Sequence, residues 1–340
     1  MKSKEFLKPY IIAEIAQTHE GSLGIAHSMI DMAAKSGASA VKFQCHFASE
    51  ESSKDEPWRI KLRTQDKTRY DYWKRMEFSE DSWLDLREHA KDLKIDFICS
   101  PFSLKAVKLL EKIDIDGWKI ASGEVTNFQL LEKISKSNKK IFISSGLSKV
   151  SEIKKALDIL QKNNSEVVLM QCTSQYPVTP KNLGLNIIQD YMDEFDLNIG
   201  FSDHSGNIYS SLAALTMGVR HIEVHVTFHK EIFGPDVSSS LDPVELSSLV
   251  EGARWICEAQ ENPVDKDKVA KELSNMRKIF FKSIIANKHI SKGETIKPEH
   301  LSTKKPLVGV GADKWFEVIG SKANKDIKKG SYISKGDFQE

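Results

Sequence analysis

The chain has only four cysteines, Cys45, Cys99, Cys172 and Cys257, and no CxxC pair. That excludes a disulfide framework; these thiols read as reduced and mostly buried. No apolar run approaches the ~20 residues that span a bilayer. The N-terminal stretch MKSKEFLKPYIIAEIA has no long apolar core followed by a small-residue cleavage site. A soluble, cytoplasmic protein is expected. Charge of neither sign is in excess: 49 basic and 48 acidic side chains leave +1. Nothing electrostatic argues for nucleic acid or a membrane surface as partner. GxGxxG is absent, which removes the main sign of an open dinucleotide-binding sheet. What remains is 340 residues, 40% hydrophobic and 29% charged, enough for one large globular domain and a small one.

The first 260 residues alternate between two textures. Short apolar or β-branched runs occur at Tyr10–Ala16, Ala40–Gln44, Asp96–Phe102, Gly117–Ser122, Lys140–Gly146, Val167–Cys172, Leu197–His204 and His221–Thr227. Between them lie segments such as SEDSWLDLREHAKDLK and KVSEIKKALDILQK, with apolar residues three and four apart. Strand followed by helix, eight times over, predicts an α/β fold with a closed (β/α)8 TIM barrel.

The stretch from Asn198 to Asp242 carries the densest chemistry. Two strand-like runs each end in a histidine, His204 and His225. Residues two apart on a strand share a face, so Glu223 joins His225, and Ser202 joins His204. Two imidazoles and a carboxylate can then converge as a divalent-metal site; the bland alternative is two hydrogen-bonded histidines at strand ends. Polar residues recur at the other strands: Glu14, Lys42 and Gln44, Ser100, Lys119 and Ser122, Ser144, and Tyr176 after the sixth. Barrel enzymes put their chemistry at the carboxyl ends of the strands. Buried structural ion pairs are the competing explanation for any single charge, but their concentration across most strands favours an active site.

A polar insertion separates Cys45 from Glu77, and it is expected to cross the catalytic end of the barrel. Its aromatics, Trp58, Tyr70, Tyr72 and Trp73, are expected mostly to pack locally. The barrel is assigned to residues 1–260, a helical linker to 261–282 and a small strand-and-turn domain to 283–340. The last contains an internal echo, ANKHISKGETI against ANKDIKKGSYI, with Gly293 and Gly330 at equivalent turns.

Taken together, AEIAQTHEGSLGIAHSMID, AVKFQ, SPF, GWKIASGE, ISSGL, QCTSQYP, GFSDHSG, EVHVTF and GPDVSSSLDP resemble, in order and spacing, the N-acetylneuraminate (sialic acid) synthase family. The tail KSIIANKHISKGETIKPEHL with KKPLVGVGA resembles that family's antifreeze-like (SAF) domain. The resemblance implies condensation of phosphoenolpyruvate with an open-chain N-acyl hexosamine such as N-acetylmannosamine, with C–O cleavage and release of phosphate. It implies that Lys42 and Lys119 bind phosphoenolpyruvate, aided by Ser100, Ser122, Ser144, Ser174 and Ser202. A trianion suits fixed cations and hydroxyl donors. His204 and His225 would hold a divalent metal, manganese first, magnesium or cobalt otherwise. Glu14 and Glu223 are the candidates for handling the attacking water, and Gln44, Glu124, Tyr176, Asp236 and Lys305 would face the sugar. A domain-swapped homodimer is implied as well.

Three positions depart from the family pattern: Ser174 stands where many relatives carry asparagine, Lys305 where arginine is usual, and Val224 where a basic residue is common. Lysine lacks the bidentate fork, so the grip on the N-acyl group is expected to differ. The alternatives are a synthase acting on a phosphorylated sugar, which would need further cations and would lack the tail module, and a non-catalytic binding protein, which would have lost a histidine or a lysine.

Overall fold

The structure, a computed structural model, describes residues 8–60, 65–163 and 165–339. It divides into two compact units, Met1–Glu261 and Asn262–Glu340. The first contains strands β1 (Tyr10–Glu14), β2 (Ala40–Cys45), β3 (Asp96–Pro101), β4 (Gly117–Ile120), β5 (Lys140–Ser144), β6 (Val167–Cys172), β7 (Asn198–Asp203) and β8 (His221–Val226). Each pairs in parallel with the next, and β8 pairs back onto β1, with Glu14 opposite His225. That closes the TIM barrel. A two-residue strand, β9 (Ser240–Leu241), lies along β8.

Alternation along each strand sorts the side chains into two cores. Ile11 and Ala13, Val41 and Phe43, Phe97 and Cys99, and Ile222, Val224 and Val226 point outward into the layer beneath the helices. Ile12, Ala40, Ile98, Phe142, Val168 and Met170 point inward and fill the barrel. Gly200 leaves room for one of them, because a Cβ there would lie 2.3 Å from Met170 Sδ. Helices start where serine caps the chain: Ser22, Ser79 and Ser103 accept from backbone amides of the helices beginning at Leu23, Glu80 and Leu104.

Several strands end one or two residues sooner than the apolar runs suggest. Ala16 turns the chain with φ 47° just after β1. Ser122 lies in a short 3₁₀ turn, Ser122–Glu124, and His204 sits one residue beyond β7. The insertion after β2 folds into the helices Ala48–Glu51 and Arg69–Met76, while its residues 61–64 lie outside those described.

The amino-terminal end of the barrel is sealed by Tyr10, whose hydroxyl donates to Asp96 Oδ2 at 2.5 Å and whose ring stacks on Phe142 at 6.0 Å. His221 packs 5.7 Å from both rings. Burial, with Lys140 nearby, lowers its pKa from 6.5 to about 4. Between those values the unfolded chain binds the extra proton, so stability rises with pH there. The contribution is complete above pH 6.5 and is lost as pH falls through about 4, up to about 3 kcal/mol. Melting temperatures measured from pH 7 to pH 4 should show a shallower decline in His221→Gln than in wild type; parallel curves would contradict the assignment.

The second unit opens with exposed helices Lys266–Glu272 and Ser274–Phe280, followed by an antiparallel pair, β10 (Ser283–Ala286) and β11 (Leu301–Lys304). The sequence echo is a structural one. Ile290 and Ile327 exchange backbone hydrogen bonds of 3.0 and 2.8 Å. Gly293 N–H donates to Ala323 O, and Gly330 N–H to Ala286 O, both at 2.7 Å. Ile296 and Ile333 are both fully buried. Gly293 and Gly330 have φ of 81° and 86°, which explains glycine at both turns. No helix among the described residues is long and apolar enough to cross a membrane.

Candidate active site

The inward positions nearest the carboxyl ends of the strands are charged. Lys42 Nζ lies 2.8 Å from Glu14 Oε2 and 3.7 Å from Glu223 Oε1. Lys119 Nζ lies 2.5 Å from Glu223 Oε2. Ser202 donates to Glu223 Oε1 at 3.1 Å, Lys42 to Ser100 Oγ at 3.4 Å, and Gln44 Nε2 to Glu14 Oε1 at 2.6 Å. The ion pairs expected on the bland reading exist, then, but they are gathered into one buried tetrad at the catalytic end. The two lysines and two glutamates balance, as buried charges must.

Their protonation tendencies differ. Burial pushes the Glu14 carboxyl upward, partly opposed by Lys42. Glu223 is buried as deeply, but Lys119 and Lys42 outweigh that and hold it at about 2. Burial works against the charge on both lysines. Glu14 and Glu223 more than compensate at Lys42, whereas Lys119 stays below its ordinary value.

His204 and His225 meet beside the tetrad, ring centres 5.2 Å apart. His204 Nδ1 lies 2.8 Å from the Thr173 carbonyl, which can only accept. Nδ1 therefore carries a proton, and in the neutral ring Nε2 offers its lone pair, the tautomer a metal ligand needs. Burial favours that neutral ring, but Cys172 and the Thr173 carbonyl outweigh it and raise the pKa of His204. Burial keeps His225 neutral, with a pKa near 3. Among the described residues no three His, Cys, Asp or Glu side chains gather as a ready-made metal site. Two imidazole nitrogens alone would fit an open site completed by water and substrate, and would not fit a closed structural one.

A third feature is a small cradle beside β5. Gly146 N–H donates to Ser122 Oγ at 3.1 Å. A Cβ at Gly146 would lie 2.4 Å from Ser174 Oγ, 2.8 Å from Ser122 Oγ and 3.0 Å from Cys172 Sγ. Only glycine lets these three side chains approach the backbone so closely. Ser144 is buried on the adjacent strand.

Above lies a cavity of about 730 Å³, lined by Gln44, Glu124, Tyr176 and Asp236 together with Ser122, Ser174 and His225. Tyr176 stacks on His204 at 4.1 Å. The site residues expected within the first unit thus gather toward the carboxyl ends of its strands. Lys305 belongs to the second unit, where it is exposed and lies 5.1 Å from the Phe280 ring.

Some participants were not anticipated. Arg59, from the insertion, reaches Asp236 Oδ1 at 2.5 Å and covers the Tyr176 ring at 4.4 Å. Nothing in an aperiodic loop marks it. His46 lines the cavity, stacked between Trp73 and Phe102 at 4.2 and 4.5 Å. It follows Gln44 by two residues, and the strand period would have flagged it. Trp58, Tyr72 and Trp73 do pack on one another, at 5.8 and 5.4 Å, and the same rings line the cavity; Tyr70 does not.

Comparison with known proteins agrees with this architecture. A family model described as the NeuB family matches residues 29–265, and one described as the SAF domain matches residues 281–339. The chain is 36% identical to the N,N'-diacetyllegionaminic acid synthase of Campylobacter jejuni over 332 residues, covering 96% of this chain and 99% of that protein. It is 33% identical to the human N-acetylneuraminate-9-phosphate synthase over 330 residues, covering 95% and 91%. Among solved structures, an N-acetylneuraminic acid (sialic acid) synthetase from Leptospira borgpetersenii, in complex with citrate, superposes with a TM-score of 0.71 at 30% identity, covering 80% of this chain and 92% of that one. With two domain models matched in order and relatives spanning nearly its full length, the chain is an enzyme of the NeuB family of nonulosonic acid synthases, phosphoenolpyruvate-dependent transferases, and it ends in a SAF domain.

Proposed function

We propose that this protein condenses phosphoenolpyruvate with the open-chain aldehyde of an N-acyl hexosamine, N-acetylmannosamine or a related 2,4-diacetamido sugar, to form a nine-carbon 2-keto acid. The observation that carries the reading is the buried tetrad of Glu14, Lys42, Lys119 and Glu223 beside two histidines at one barrel mouth. Lys42 and Lys119 exchange their glutamate partners in part for the phosphate and carboxylate of phosphoenolpyruvate. Ser122, Ser144 and Ser174 supply hydroxyls around Gly146 for the phosphate, and Ser100 and Ser202 keep the lysine and glutamate in register.

Carbon 3 of phosphoenolpyruvate attacks the aldehyde carbon, water adds to carbon 2, and phosphate leaves with cleavage of the C–O bond. Glu14, whose carboxyl is pushed upward by burial, takes the proton from that water. Glu223, held ionised by Lys119, keeps the cations aligned. His204 and His225 would hold a divalent cation, manganese being the expected one, which when bound polarises the aldehyde oxygen. Gln44, Glu124, Tyr176 and Asp236 orient the acyl sugar, and Lys305 contributes from a SAF domain.

Incubating purified protein, manganese and phosphoenolpyruvate with a panel of 2-acetamido and 2,4-diacetamido hexoses tests the reading. One member should yield stoichiometric phosphate and a keto acid three carbons longer. Silence across the panel and the corresponding sugar phosphates would reject it.

We also propose a domain-swapped homodimer, supported by the exposed helical segment before β10 and by the family position of Lys305. Mixing His225→Ala with Lys305→Ala subunits should then restore activity above both parents after exchange. Heterodimers that recover nothing would mean that each tail serves its own barrel.

A further inference from the structure

An unbroken line of hydrogen bonds runs from the insertion to the catalytic tetrad, and three of its members, Glu51, His46 and Gln17, have no part in the mechanism above. Glu51 Oε1 lies 2.8 Å from His46 Nδ1. His46 Nε2 lies 3.0 Å from Gln17 Nε2. Gln17 Nε2 donates to Gln44 Oε1 at 2.8 Å, and Gln44 Nε2 donates to Glu14 Oε1 at 2.6 Å. Gln17 and His46 are buried, and the His46 ring is held on both faces by Trp73 and Phe102.

The proton inventory allows one polarity. Glu14 is paired with Lys42 at 2.8 Å through Oε2, and as a carboxylate it only accepts, so Gln44 must turn its amide nitrogen toward Oε1 and its carbonyl toward Gln17. Gln17 must then present its amide nitrogen, and its two N–H groups go to Gln44 and to His46 Nε2. His46 must accept at Nε2 and carry its proton on Nδ1, where Glu51, again only an acceptor, receives it. Without the relay, the Glu14 carboxylate alone would order the Gln44 amide, and the Gln44 carbonyl would lose the Gln17 donor that holds its other end. A flipped amide sets its carbonyl against the Glu14 carboxylate.

We propose that His46, oriented by Glu51 and acting through Gln17, is a positioning residue that fixes the Gln44 amide and, through it, the Glu14 carboxylate. The relay ties the insertion to the chemistry. Glu51 sits at the end of the helix Ala48–Glu51, whose first amide is anchored by Glu77 Oε1 at 2.9 Å. This inference rests on the proposal that Gln44 and Glu14 serve the condensation.

The test compares His46→Phe, which keeps a flat ring between Trp73 and Phe102, with His46→Gln, which restores a polar edge. His46→Phe should lower kcat by about tenfold to a hundredfold, the usual scale for losing a supporting hydrogen-bond partner. KM for phosphoenolpyruvate should stay within about twofold, since the lysines are untouched. His46→Gln should recover part of kcat. Glu51→Gln should lower kcat in the wild-type background and change nothing further once His46 is phenylalanine. Melting curves on all variants separate folding from catalysis. A folded His46→Phe with wild-type kcat, or independent effects of the two substitutions, overturns the relay. A wild-type protein silent on every sugar rejects the synthase reading itself.

Discussion

Lys119→Ala is expected to lose both stability and substrate. Lys119 and Glu223 are almost fully buried, 2.5 Å apart. Removing the lysine leaves a carboxylate without its main partner, and breaking such a pair costs about 3–5 kcal/mol. The lost contact to phosphoenolpyruvate should cost a further 2–3 kcal/mol or so of binding. Two measurements separate the effects. Denaturant titration of Lys119→Met with Glu223→Leu should show most of the stability regained, because two apolar side chains replace two charges. Calorimetry on the same double variant should show phosphoenolpyruvate binding still lost. If Lys119→Ala is as stable as wild type and binds phosphoenolpyruvate normally, the tetrad is neither a structural nor a binding element.

His204→Ala and His225→Ala should each lower kcat by about 10²-fold or more, the scale of losing a major electrostatic stabiliser of the transition state. Neither histidine contacts a lysine of the tetrad through a hydrogen bond or ion pair described above, so phosphoenolpyruvate binding without added metal should change little. Chelation should stop turnover of the wild type, manganese should restore it, and neither histidine variant should be rescued. Full turnover by protein shown to be metal-free by elemental analysis would remove the cation from the account.

The barrel was legible because its strands are short, apolar and evenly interrupted by amphipathic helices. The same period of two explains why so much of the site could be read. Glu14, Lys42, Lys119, Ser202 and Glu223 interrupt apolar runs at inward positions, and a charge there needs a purpose. Which charges pair was beyond the pattern. Strand spacing brings β8 beside β1 and β7, yet Glu223 reaches Lys119 on β4 across the interior. Arg59 was invisible because its loop has no period, and its partner Asp236 lies far along the chain. The Tyr10–Asp96 seal joins adjacent regions of the barrel floor through side-chain lengths that no sequence rule specifies. The strand ends were overestimated where the apolar run outlasts the pairing, as at His204.

The central claim is that this mouth cleaves phosphoenolpyruvate between carbon and oxygen while joining it to a sugar aldehyde. Phosphoenolpyruvate carrying ¹⁸O in the C2–O–P bridge, turned over with manganese and the accepted sugar, tests it most directly by mass spectrometry of both products. The account predicts labelled inorganic phosphate and a nine-carbon keto acid whose C2 oxygen comes from solvent. Label retained in the keto acid, with unlabelled phosphate, would contradict it.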